Sequence, residues 1–67
     1  MDARQSGLLP GSAVEIMNRF ERRWSHGFGV VDKVVGGYKV RRRSDGWTLP
    51  VVFAEADVRL DAALLAV

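Results

Sequence analysis

Val30-Val31-Asp32-Lys33-Val34-Val35-Gly36-Gly37-Tyr38-Lys39-Val40-Arg41-Arg42-Arg43 is the stretch that decides the fold. Two β-rich runs flank a Gly-Gly pair, and glycine adopts the positive φ of a two-residue hairpin turn without steric cost. The stretch therefore predicts two antiparallel strands, Phe28 to Val35 and one beginning at Tyr38. On the second, Tyr38, Val40 and Arg42 alternate with Lys39, Arg41 and Arg43, so one side turns toward a core and the other presents a cationic row. Strict alternation places Arg42 on the core side, which it leaves either at the rim or by pairing with a buried carboxylate.

Working outward, Ser44-Asp45-Gly46 makes the next tight turn and Trp47 to Phe53 a fourth strand. Pro50 lacks an N–H and argues for an edge position or a local kink. Ala54 to Asp57 reads as a short link, with room for one 3₁₀ turn, before a brief fifth strand, Val58 to Leu60. On the other side, Arg19 to Gly27 is too charged for a strand and too short for an independent helix, and reads as the longest loop. Ala13 to Asn18 before it alternates as a first strand with Val14 and Ile16 inward. Gly27 and Gly29 mark places for a bulge or a tight corner. Residues 1–8 read as a polar leader, 9–60 as one folded unit, and 61–67 as an apolar tail, short helix or frayed, with Asp61 as its cap.

The pattern Gly11-x-x-Val14-Glu15, a loop reaching Trp24, then Gly27, Val30, Gly36-Gly37-Tyr38-x-Val40-Arg41, Asp45-Gly46 and Asp57-Val58-Arg59 resembles the SH3-like barrels of the Tudor and agenet group. The resemblance spans residues 9–60 and implies an all-β, five-stranded antiparallel barrel. It also implies peptide recognition by an aromatic cage, because an alkylated cation is attracted to ring faces. Phe20, Trp24, Tyr38 and Trp47 are the candidate rings, with Asp45 or Glu55 as the nearby carboxylate. The same rings are also the large side chains from which so small a core has to be built.

At 67 residues with no Cys, the chain has neither disulfide nor thiolate metal site to supplement a thin core. The absence of a long apolar run argues against a membrane span, and the polar start against a signal peptide, which leads us to expect a cytoplasmic protein. Catalysis is not expected: His26 is the single imidazole, and no Ser has a base at recognisable spacing. No cofactor is implied, and the carboxylates that would join His26 around a metal are scattered along the chain.

The basic residues favour Arg, which suits planar recognition of phosphate. Arg19, Arg22 and Arg23 on the first loop and Lys39, Arg41 and Arg43 on the third strand form the candidate nucleic-acid surface, with aromatic rings available for stacking. The formal charge is only +2. A solvated face whose cations pair with Glu15, Glu21 and Asp32 is the competing reading. The sequence thus supports a small non-enzymatic binding module. Its partner is either nucleic acid or a protein, the latter through an aromatic cage or a homodimer held by Leu64, Leu65 and Val67.

Overall fold

The computed structural model describes residues 8–61. Five antiparallel strands form one sheet: β1 (Ala13–Asn18), β2 (Arg23–Val34), β3 (Gly37–Arg42), β4 (Thr48–Phe53) and β5 (Val58–Leu60). Their spatial order is β4-β3-β2-β1-β5, and a single 3₁₀ turn, Glu55–Asp57, leads into β5. The all-β, five-stranded expectation holds. Closure into a barrel does not: β4 and β5 end the sheet, and no ladder joins them among the described residues. Pro50 and the irregular β3–β4 register, together with a β5 of only three residues, leave little backbone with which to close that seam.

The inner face carries Val14 and Ile16 from β1, Val30 from β2, Tyr38 and Val40 from β3 and Val58 from β5, all buried. Leu8, Phe28, Leu49 and Phe53 pack around them. Burial of each Val or Ile contributes about 1.5–3 kcal/mol, so this small set is the apolar basis of the fold. Leu8 belongs with it rather than with a leader, because its backbone N–H also donates to the Tyr38 hydroxyl at 2.8 Å. The tail beyond Asp61, with Leu64, Leu65 and Val67, and residues 1–7 lie outside the described residues.

The predicted long loop is largely strand. Only residues 19–22 form the turn, and Arg23 to Gly27 extend β2 in register with β1, pairing Met17 with Trp24 and Asn18 with Arg23. The Asn18 side-chain oxygen accepts the Glu21 N–H at 3.1 Å and Arg22 takes φ +57°, which closes the hairpin in four residues. Charge did not prevent pairing because these residues project from an exposed hairpin end.

The central hairpin forms, with a shifted turn. Val35 and Gly36 make its tip, and Gly37 already lies in β3 opposite Val34. Gly37 holds φ +148°, and a Cβ built there would stand 1.9 Å from the Phe53 carbonyl oxygen. The glycine is needed where the end of β4 passes close to β3. Two irregularities in β2 then set the faces. One extra residue lies at His26-Gly27 against β1, with Gly27 at φ +92°, and another lies at Val31 against β3. Bulges re-aim side chains, so Lys33 shares the inner side with its partner Tyr38 instead of pointing opposite to Val30.

Candidate functional site

Cross-strand partners share a face of a sheet, so the registers locate the cationic row. Lys39 lies opposite Asp32 and Arg41 opposite Gly29, while Val40 pairs with Val30 in the core. Lys39 and Arg41 are therefore outward and exposed. Arg43 continues the row: its N–H donates to the Gly27 carbonyl at 2.8 Å, and its Cγ lies 3.7 Å from where a Gly29 Cβ would be. The row runs beside Gly27 and Gly29 of β2, with Gly29 buried under the Arg43 side chain, and successive cations stand about 7 Å apart along the strand.

Ion pairing separates these residues from the chain's other cations. Arg19 pairs with Asp57 at 2.9 Å, Lys33 with Glu55 at 3.3 Å, Arg42 with Asp45 at 2.6 Å and Arg59 with Glu15 at 2.6 Å. Arg22, Arg23, Lys39, Arg41 and Arg43 have no ion-pair partner among the described residues. Asp32 faces Lys39 without reaching it, and its carboxylate accepts the Lys33 N–H at 2.9 Å. Arg19 thus drops out of the predicted set as a cation already neutralised. Arg22 and Arg23 sit apart from the β3 row: β3 meets β2 from Phe28 onward, with Arg43 reaching Gly27, several residues along β2 from the turn.

The four predicted rings stand in four settings. Tyr38 is a core residue at 2% exposure and no part of any surface, and Phe20 projects at 96% exposure from the β1–β2 turn. Trp24 lies half-buried under Arg59, whose guanidinium carbon is 4.0 Å from the ring centroid. Trp47 is half-exposed with Arg42 5.0 Å above its ring. The chain's own guanidiniums occupy the ring faces that an alkylated cation would use, and the carboxylates of Asp45 and Glu55 are engaged by Arg42 and Lys33. Arg42 resolves as a rim residue. Its bond to Asp45, first, and the Trp47 N–H hold the Asp45 carboxyl below the usual carboxylate range, while Asp45 raises the Arg42 pKa.

Folding gathers the scattered ligand-type residues. On the outer face of β1, Glu15 lies opposite Arg59 of β5, the β2 bulge brings His26 beside it, and Asp61 follows β5 with its N–H on the Ala13 carbonyl. His26 Nδ1 stands 3.2 Å from Glu15 Oε2 and 3.3 Å from Asp61 Oδ1. Both carboxylate residues are buried, at 5% and 4% exposure, whereas the imidazole is largely exposed. Glu15 is therefore not the solvated counter-ion its strand alternation suggested. Its position opposite Arg59 depends on a pairing across 44 residues, which no local pattern announces. Gly27 after the lone histidine was the one local sign of the bulge that turns His26 toward Glu15.

An apolar groove of about 670 Å³ fills the open seam. Ile16 and Met17 line one wall, Leu49, Val51 and Phe53 the other, and the Arg19–Asp57 pair stands at its edge. No helix among the described residues is long and apolar enough to cross a membrane. No known family's sequence model matches the chain, and no curated protein matches it.

Proposed function

We propose that this protein is a non-enzymatic binding module whose outer β3 face, Lys39, Arg41 and Arg43, engages the phosphate backbone of a nucleic acid. The observation that carries the reading is that these three cations line one face without a carboxylate partner among the described residues, while Arg19, Lys33, Arg42 and Arg59 are each paired. Unpaired cations retain counterions at low energetic cost and release an anionic polymer's counterions on contact, which drives association. Arg22 and Arg23 extend the footprint at the far hairpin as a second, separate contact. Half-exposed Trp47, already stacked by Arg42, offers its outer ring face to an unpaired base. The SH3-like, Tudor-type likeness belongs to this proposal, supported by the five antiparallel strands and the bulged, bent β2.

Amide chemical-shift mapping with an unlabelled single-stranded oligonucleotide tests the proposal. The largest shifts are expected at Gly27, Gly29, Lys39, Arg41 and Arg43. A response confined to Ile16, Leu49, Val51 and Phe53 would overturn it and assign the groove. A second reading, a protein partner docked in the open seam, is favoured by the half-exposed Val51 and Val52 on the edge strand β4.

A further inference from the structure

We propose that Glu15, His26 and Asp61 form a site for a divalent transition-metal ion of the zinc type. Three donor atoms, His26 Nδ1, one Glu15 oxygen and one Asp61 oxygen, lie within 4.8 Å of one another. They come from β1, from β2 and from the residue after β5, so the sheet itself fixes their positions. Zinc binds imidazole nitrogen and carboxylate oxygen at about 2.0–2.2 Å, which places neighbouring donors about 3.0–3.5 Å apart in tetrahedral or octahedral coordination. The nitrogen-to-oxygen separations of 3.2 and 3.3 Å already meet that requirement. An ion then needs only to draw the two carboxylates together, and it does so by cancelling the repulsion that otherwise separates two buried anions.

The bonding within the cluster supports the assignment. His26 Nδ1 faces two carboxylate oxygens, and the single proton that one ring nitrogen carries makes one linear bond at a time. An ion at the shared position serves all three donors together. Glu15 is also oriented from behind: Arg59 Nε donates to Oε1 at 2.6 Å and leaves Oε2 turned to His26. Arg59 is in turn fixed on the Trp24 ring. Partners that orient metal ligands from outside the coordination sphere tune affinity in this way. The imidazole ligand and the low ligand count favour zinc or a similar borderline ion over magnesium or calcium, which demand more oxygen donors. With His26 on the solvent side, positions beyond the three protein donors are left to water.

The test uses the full chain, titrated with zinc chloride in a non-chelating buffer and followed by calorimetry and by the imidazole resonances, which belong to His26 alone. One ion per chain is expected, saturating below about 1 mM, with the Nδ1 resonance shifting and magnesium chloride giving no such shift. His26→Asn keeps amide donors beside both carboxylates, so the fold survives while the imidazole ligand is gone. At least a tenfold loss of zinc affinity is expected there, and a comparable loss in Glu15→Gln, whose amide still accepts from Arg59. No saturable zinc binding, or unchanged affinity in folded His26→Asn, would overturn the site.

Discussion

Replacing Gly37 by Ala tests the packing of the central hairpin against β4. The new methyl carbon would lie 1.9 Å from the Phe53 carbonyl oxygen, 2.7 Å from its carbon and 3.0 Å from Ala54 Cα. All three are backbone atoms, so no side chain can rotate away. Relief requires β4 to retreat by more than about 1 Å to reach ordinary carbon–oxygen contact, which strains the Tyr38–Phe53 pairing that bounds the core. A φ of +148° adds about 1–2 kcal/mol for a residue with a Cβ. Together with loosened packing, the expected loss is about 3 kcal/mol or more, a large part of the stability of a domain this small. Gly36 supplies the control. It holds φ +93° with open space around its Cβ position, so Gly36→Ala carries the conformational strain without the collision. Urea unfolding followed by Trp fluorescence compares the two. If Gly37→Ala and Gly36→Ala agree within about 0.5 kcal/mol, the close approach of β4 does not exist and the reasoning fails.

Removing the Glu15 counter-ion with Arg59→Met should destabilise the fold by about 1–2 kcal/mol, less than for a fully buried pair because Arg59 is half-exposed; thermal unfolding checks this, and an unchanged midpoint would contradict it. Asp45 has its pKa lowered in the folded state, so its contribution is present above the carboxylate's unfolded pKa and is lost as pH falls through the lower folded value. Asp45→Asn should therefore narrow the gap between urea midpoints measured at about pH 7 and about pH 2.5, and an undiminished gap would refute the Arg42–Asp45 assignment. Val51→Lys on the edge strand β4 should change monomer stability by no more than about 0.5 kcal/mol, since the residue is half-exposed. Any self-association through the groove should weaken, as read by sedimentation.

The strand pattern was legible because its determinants are local. Val14 and Ile16 alternate with Glu15 and Met17, Pro50 marks an edge strand, and Val58 to Leu60 stands alone between a 3₁₀ turn and Asp61. The extent of β2 was less so: Asn18 caps a four-residue turn through Glu21, and charged Arg23 enters a ladder whose outer side faces solvent. Closure of the sheet depends on how two distant edges meet, and nothing near Pro50 or Leu60 encodes that. The cationic row was visible in Lys39, Arg41 and Arg43 because period-two spacing sorts faces by itself. Which cations stay unpaired was not visible, because Arg19–Asp57 and Arg59–Glu15 are made by strands far apart in the chain. The Glu15–His26–Asp61 cluster escaped for the same reason, with a bulge at Gly27 adding a register change that alternation cannot foresee.

The salt dependence of single-stranded oligonucleotide binding, compared between the natural chain and a Lys39→Ala, Arg41→Ala, Arg43→Ala variant, tests the central claim most directly. Three phosphate contacts on a single strand correspond to a slope of about −2 in log affinity against log salt. The natural chain should show at least that slope, and the variant should lose about that much while its amide spectrum stays folded. Absence of binding to the natural chain at low salt, or identical slopes for the two proteins, would contradict the assignment of the β3 face.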